Sequence, residues 1–140
     1  MIKAASLFLC LGALCISLAR AAEPQTFRVA SLSIFPAKWD KPANADKIER
    51  MVRQAADAGA QLVITPEGVL EGYVVNEVIR EQDAQKKAEL SDRFGELAEP
   101  VDGPYIRRMR SLADELDVYL ILGFLEADGE RTYNTAALLS

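Results

Sequence analysis

Glu67 is the residue of this 140-residue chain whose position most favours chemistry. Glu67 follows the short apolar stretch 62–65 and Pro66, and a glycine comes directly after it. The stretch predicts a strand buried on both faces, and proline should end it because proline cannot donate to a sheet ladder. Glu67 is then held at the carboxyl end of a strand, the edge where open α/β sheets collect binding and catalytic groups.

The same position also has simpler explanations. Glu67 could cap the turn that follows it or pair with a lysine, and neither role would make it catalytic. Two carboxylates this close together, Glu67 and Glu71, could also suggest the acid and base of a glycosidase, but such a site needs more framework than this sequence shows. Spacing alone therefore makes Glu67 a candidate for catalysis or binding and goes no further.

The remaining side chains narrow the possible chemistry. The chain has no histidine, so acid–base chemistry must use carboxylates, lysine or tyrosine. The sequence contains no Cys or His cluster with zinc-ligand spacing, no phosphate-binding glycine motif and no Gly-x-Ser-x-Gly elbow. A net charge of −5 without a basic cluster argues against a nucleic-acid partner. We therefore predict no metal, no cofactor and no nucleic-acid binding.

The first 21 residues have the three parts of a secretory signal peptide. Lys3 supplies a positive start, residues 4–18 form an apolar run, and Ala19-Arg20-Ala21 is a small-x-small cleavage pattern. An uncleaved membrane anchor is the alternative, but a membrane span needs about 20 apolar residues. We expect cleavage after Ala21, export to the periplasm or the medium, and no membrane association of the mature chain.

Cleavage would change both the charge and the thiol content of the protein. Lys3 and Arg20 leave with the leader, so the 16 basic residues fall to 14 against 21 acidic ones, a net charge of −7. Cys10 and Cys15, the two cysteines, leave as well. The mature chain then has no disulfide, although an exported protein could form one, and it has no thiol nucleophile.

The elements that must position Glu67 are predicted to form a layered α/β sheet in the order β-α-β-(α)-α-β-β. Residues 22–26 are a polar lead-in. Strands are predicted at 27–35, 62–65, 118–125 and 132–139, a helix at 44–58, and another helix opened by Asp102-Gly103-Pro104. Asp128-Gly129 is a turn signal, so the last strand is expected to return antiparallel to the one before it. Asn44 is the expected N-cap of the first helix, and Gly59 is expected at its C-terminus. The chain stops within or just after the last predicted strand, which suggests a domain cut off within its sheet.

Residues 74–99 are harder to assign from the sequence. Leu90, Phe94 and Leu97 recur at helical spacing among charged and polar residues, which predicts a helical connection over one end of the sheet. A surface helix is the favoured interpretation, and a contribution to a pocket wall is the alternative.

Several of these segments, taken in order, resemble the amino-terminal part of the carbon–nitrogen hydrolase superfamily, the nitrilases and aliphatic amidases. They are the helix opened by Asn44, Ala58-Gly59-Ala60-Gln61-Leu62-Val63, Thr65-Pro66-Glu67 with Gly72-Tyr73, Asp102-Gly103-Pro104, Leu112-Ala113-Asp114-Glu115-Leu116, a strand with Gly123 and Glu126, and Tyr133-Asn134-Thr135-Ala136. The ordered set covers residues 27–140 and is specific to that superfamily.

The resemblance implies a four-layer α-β-β-α sandwich, of which this chain would be the amino-terminal part, and a Glu-Lys-Cys triad. Glu67 matches the family's glutamate, whose implied role is that of a general base for the cysteine thiol and later for water. The implied lysine would stabilise the oxyanion. In the family the lysine follows shortly after the strand that matches Tyr133-Asn134 and the cysteine lies further on, so the resemblance implies that both partners fall beyond Ser140. Lys86 and Lys87 lie in the wrong segment to replace the lysine, and Cys10 and Cys15 belong to the leader.

We therefore interpret the sequence as a fragment of an exported hydrolase of non-peptide carbon–nitrogen bonds, inactive by itself. Its small-molecule substrate would be an amide, a carbamoyl compound or a nitrile, and the full-length protein could be a homo-oligomer. Two alternatives stay open: an exported non-catalytic α/β binding or interaction module, and an unrelated α/β domain in which Glu67 caps a turn. The sequence does not separate the three substrate types.

Overall fold

The computed structural model describes residues 26–140, so the predicted signal peptide, its cleavage site and most of the lead-in lie outside the described residues. The elements are β1 (Val29–Ser31), α1 (Lys41–Asp57), β2 (Leu62–Ile64), α2 (Val75–Arg80), α3 (Ala84–Glu96), α4 (Pro104–Leu116), β3 (Tyr119–Asp128) and β4 (Arg131–Leu139). The predicted order is confirmed, and the helical connection that was hard to assign consists of two helices, α2 and α3.

The four strands form one sheet in the order in which they occur along the chain. β1 and β2 are parallel, and so are β2 and β3, whereas β3 and β4 are antiparallel and pair from Leu120–Leu139 to Asp128–Arg131. The hairpin between β3 and β4 turns at Gly129, where φ is +59°, as the Asp128-Gly129 signal predicts. The α/β class and the antiparallel return of the last strand are therefore confirmed.

The hydrophobic core lies between one face of the sheet and the helices α1 and α4. Its largest buried side chains include Ile48, Val52, Ile106, Met109, Val63, Leu120, Leu122 and Phe124. The other face of the sheet carries apolar side chains that are about half exposed, such as Val29, Tyr119 and Leu138. The described residues thus supply one sheet and one helical layer of the sandwich that the resemblance implies.

The first strand is shorter than predicted. β1 has three residues instead of the nine from 27 to 35, and Phe35 is 87% exposed. β1 pairs with β2, which itself ends at Ile64, and the last hydrogen bond runs from the N–H of Leu32 to the carbonyl oxygen of Ile64 at 2.8 Å. The apolar pattern continues to Phe35, but within the described residues β2 offers no further backbone hydrogen bonds to extend β1.

The prediction that Asn44 caps the first helix is wrong. α1 begins at Lys41, and Asp40 is its N-cap, accepting the N–H of Ala43 at 3.0 Å. Asn44 is fully buried, and its amide group bonds to the backbone of Ala37 and to the carbonyl oxygen of Leu70. Both Asp and Asn are good N-caps, so the sequence signal at residues 40 and 44 was equivalent. Asn44 instead joins the loop before α1 to the loop after β2.

Candidate active site

Glu67 lies where the sequence predicts it, just after β2 and Pro66, and its side chain is exposed. Thr65, two residues before Glu67, is hydrogen-bonded to β3 through both its backbone and its side chain. Its N–H donates to the carbonyl oxygen of Ile121 at 2.9 Å, and its hydroxyl accepts the N–H of Gly123 at 3.0 Å. A Cβ on Gly123 would lie 2.5 Å from the carbonyl oxygen of Pro66, so glycine permits this close approach. Glu67 therefore extends from a fixed backbone.

The loop that follows Glu67 is folded tightly onto itself. The N–H groups of Gly72 and Tyr73 both donate to the carbonyl oxygen of Gly68, at 3.1 and 2.8 Å. All three residues have positive φ values, a conformation that is uncommon for a residue such as Tyr73. We call residues 66–73 the Glu67 loop.

Asn134, on β4, holds the carboxylate of Glu67. Its side-chain amide donates to Oε1 of Glu67 at 2.5 Å. In the sequence, Asn134 belongs to the segment Tyr133-Asn134-Thr135-Ala136 of the family resemblance, which implies no role for it. The contact joins residues 67 positions apart, so no local pattern could have predicted it.

Glu71 is the second carboxyl group of the site, and it is only 6% exposed. Its Oε2 accepts the backbone N–H of Leu125 on β3 at 3.2 Å. Burial raises the pKa of Glu71 above its ordinary value, because the charged form loses its hydration. The backbone N–H groups of Glu71 and Leu125 and the charge of Lys41 oppose this rise in pKa, and the charge of Glu67 adds to it.

A cavity of about 160 Å³ lies beside the two carboxyl groups. Its wall includes Glu67, Glu71, Tyr73, Phe94, Leu125 and Asn134. Phe94 belongs to α3, which has no buried residue, so the favoured interpretation of this segment as a surface helix is confirmed, and Phe94 also contributes to the pocket wall. An opening of about 330 Å³ lies on another side of Glu67, against Ile34 and Pro36.

A buried ion pair near the site was missed by sequence analysis. Nζ of Lys41 lies 2.7 Å from Oε2 of Glu99, and their side chains are 13% and 5% exposed. Oε1 of Glu99 accepts the N–H of Tyr105 at 2.9 Å. A Cβ on Gly103 would lie 2.5 Å from Oε1 of Glu99, so a glycine there leaves room for this carboxylate. Lys41 and Glu99 are 58 positions apart, and neither has a sequence signal for the other.

The chemistry that the described residues offer is proton transfer and hydrogen bonding. Among the residues that line the 160 Å³ cavity, Glu67 can accept a proton and Asn134 and Tyr73 can donate hydrogen bonds, and none is a cysteine or a lysine. Within residues 26–140, no group of three or more His, Cys, Asp or Glu side chains is placed to hold a metal ion. None of the helices described for this chain has the length and apolar character needed to cross a membrane.

The fold is an α/β fold of the nitrilase type. Two solved structures share this fold: an amidase from Nesterenkonia sp. (TM-score 0.56, 24% identity, covering 80% of this chain and 37% of that one) and Nit3 from Saccharomyces cerevisiae, a member of branch 10 of the nitrilase superfamily (TM-score 0.62, 18% identity, covering 81% and 39%). Identities this low support the fold alone.

Sequence comparison then identifies the family. The carbon-nitrogen hydrolase family matches residues 28–140, and this chain belongs to it. A bifunctional nitrilase/nitrile hydratase from Nicotiana tabacum is 35% identical over 100 residues, 69% of this chain and 29% of that protein. Nitrilase 3 from Arabidopsis thaliana is 33% identical over 118 residues, 82% of this chain and 34% of that protein. The chain spans about a third of the length of these curated relatives.

Proposed function

We propose that this chain is the amino-terminal part of a hydrolase of non-peptide carbon–nitrogen bonds, acting on an amide, a carbamoyl compound or a nitrile. Membership of the carbon-nitrogen hydrolase family supports this reaction class. The observation that carries the proposal is the position of Glu67, which extends from the carboxyl end of β2, accepts a hydrogen bond from Asn134 and lines a cavity.

In this proposal Glu67 is the general base of a Glu-Lys-Cys triad, and the lysine and the cysteine come from polypeptide that follows Ser140. A free thiol has a pKa of about 8.5, so a nearby base is needed to supply thiolate at neutral pH. Asn134 occupies Oε1 of Glu67, which leaves Oε2 to accept the thiol proton.

In the later steps of the proposed reaction, Glu67 transfers the proton that it took from the thiol. The thiolate attacks the carbonyl or nitrile carbon, and the lysine stabilises the negative charge that develops on the oxygen or nitrogen. For an amide, Glu67 passes its proton to the leaving amine as the thioester forms. Glu67 next removes a proton from water, which hydrolyses the thioester and restores the thiol. Residues 26–140 alone would not catalyse this reaction.

The test is to read the coding sequence beyond Ser140 and to assay the complete protein for ammonia release from short amides, carbamoyl compounds and nitriles. We expect an in-frame lysine, a later cysteine and measurable turnover. Glu67→Gln should keep the fold and lower kcat by on the order of 10²–10⁴-fold, because it removes the base.

Glu89→Gln is the matched control, since Glu89 is an exposed carboxylate on α3. It should leave turnover unchanged. Near-normal turnover in Glu67→Gln would remove Glu67 from the mechanism. A stop codon directly after Ser140, together with soluble monomeric expression, would favour the non-catalytic binding module instead.

We also propose that the protein is exported and that the leader is removed, on the basis of the charge, apolar run and cleavage pattern of residues 1–21. Amino-terminal sequencing of the exported protein should begin at Ala22. A protein that starts at Met1 and stays with the membrane fraction would point to the uncleaved anchor. Homo-oligomer formation by the complete protein is a further proposal, which light scattering would check.

A further inference from the structure

Beyond the end of β2, the edge of β3 is completed by side chains and a loop instead of a strand. The N–H of Gly123 donates to the hydroxyl of Thr65, and the N–H of Leu125 donates to the carboxyl group of Glu71. The carbonyl oxygen of Leu125 accepts the N–H of Glu99 at 2.9 Å. A buried backbone N–H without an acceptor is costly, so the Glu71 carboxyl group replaces a missing strand at this point.

Leu125 also connects Glu71 to Glu67. Leu125 and Asn134 face each other as a cross-strand pair of β3 and β4. Leu125 donates from its backbone to Glu71, and Asn134 donates from its side chain to Glu67. Two carboxyl groups of one loop are therefore attached to the two members of a single cross-strand pair.

The backbone between these two attachments has little freedom to adjust. A Cβ on Gly68 would lie 2.7 Å from Oε1 of Glu71, so the Glu71 side chain packs directly on the start of the loop. The N–H groups of Gly72 and Tyr73 close the loop onto the carbonyl oxygen of Gly68. A displacement of the Glu71 carboxyl group would therefore move the backbone that carries Glu67.

Taking the proposed function as its basis, we propose that Glu71 is a positioning residue that holds the Glu67 loop against β3 and so keeps Glu67 within reach of Asn134 and of the reacting thiol. The chain spacing of Glu67 and Glu71 suggests an acid–base pair, but their contacts indicate two different roles. Glu67 lines the cavity from the exposed end of the loop, whereas Glu71 is buried and bonded to backbone.

The first experiment compares three variants of the complete protein. Glu71→Ala should lower kcat by on the order of 10–100-fold with a KM change under about threefold, because a displacement of about 1 Å can cost this much. Glu71→Gln should restore kcat to within about threefold, since its amide oxygen can accept the N–H of Leu125. Val52→Ala, in the core of α1, should lower thermal stability and leave kcat unchanged at temperatures well below unfolding.

The second experiment is a double-mutant cycle. If Glu71 and Asn134 hold Glu67 through the same cross-strand pair, the effects of Glu71→Ala and Asn134→Ala on kcat should be smaller together than their product. Glu71→Ala combined with Val52→Ala should show no such coupling. Independent effects of the 71 and 134 variants would overturn the proposal, and so would wild-type kcat in Glu71→Ala or an equal loss in Val52→Ala.

The third experiment needs no substrate. Hydrogen exchange of the Leu125 amide should be faster in Glu71→Ala and close to wild type in Glu71→Gln, because only the alanine removes the acceptor. Unchanged exchange in Glu71→Ala would overturn the proposal. If Glu67→Gln retains turnover, the proposed general base fails and this measurement still decides the role of Glu71. If Glu67→Gln is inactive while Glu71→Ala is fully active, only the positioning role fails.

Discussion

The Glu67 loop and the surface between α1 and α4 hold carboxyl groups in opposite ways. Glu71 is buried against backbone N–H donors, and burial raises its pKa. Glu49 lies on α1 with its side chain 26% exposed, and hydrogen bonds from Arg108 and Arg53 lower its pKa. Burial without a contacting cation favours the neutral acid, whereas contact with a guanidinium group favours the carboxylate.

The difference shows how one protein uses carboxyl groups for two purposes. On the surface, Arg108 bridges to Asp46 and Glu49 at 2.7 Å, and Arg53 bridges to Glu115 at 2.6 Å, so charges join α1 to α4. Water and salt weaken such exposed pairs, and any one of them is replaceable. In the site, the desolvated carboxyl group of Glu71 accepts the N–H of Leu125 at the edge of β3, so its loss leaves that buried donor without an acceptor.

The largest expected difference between the buried carboxyl group of Glu71 and the exposed one of Glu49 is in their contribution to stability. Glu71→Ala should lower the free energy of unfolding of the complete protein by about 2 kcal/mol, because the N–H of Leu125 then lacks its acceptor. Glu49→Ala is the matched control and should cost under about 1 kcal/mol. Urea denaturation at neutral pH measures both values. Equal losses would show that the buried and exposed carboxyl groups contribute alike.

A smaller effect is expected in the pH dependence of stability, and its sign should be opposite for Glu71 and Glu49. The folded pKa of Glu71 is raised above its ordinary value of 4.5, so the folded state binds the extra proton. Its contribution is fully present below pH 4.5 and is lost as pH rises through the raised pKa. The folded pKa of Glu49 is lowered from 4.5, so its contribution is present above that value and is lost as pH falls.

Unfolding free energies of Glu71→Gln and Glu49→Gln, measured from about pH 3 to pH 7 against wild type, check these signs. Relative to wild type, Glu71→Gln should gain stability as pH rises and Glu49→Gln should lose it. Added salt should reduce the Glu49 difference more than the Glu71 difference, since exposed charges are screened more strongly. The same sign for both variants would contradict the contrast between burial and ion pairing.

The elements that local residues define were predictable from the sequence. α4 begins at Pro104, Gly59 with φ of +84° follows α1, and β2 ends before Pro66, each as its local signal predicts. These signals depend on backbone angles and missing N–H groups within a few residues, so they need no tertiary information. The N-cap of α1 shows the limit, because Asp40 and Asn44 carry the same local signal and packing decided between them.

The sequence by itself determined the order of the strands and helices, the placement of Glu67 after the end of β2, and the family to which the chain belongs. The prediction that β2 is buried on both faces is wrong, because Val63 is buried but Leu62 and Ile64 are only half-buried. Only the tertiary structure decided what surrounds that carboxylate: Asn134 bonded to Glu67, Glu71 buried against Leu125, and Lys41 paired with Glu99. The physical reason is the distance along the chain. Turn and strand signals act between neighbours, whereas these contacts join residues more than 50 positions apart and form only when the sheet brings them together.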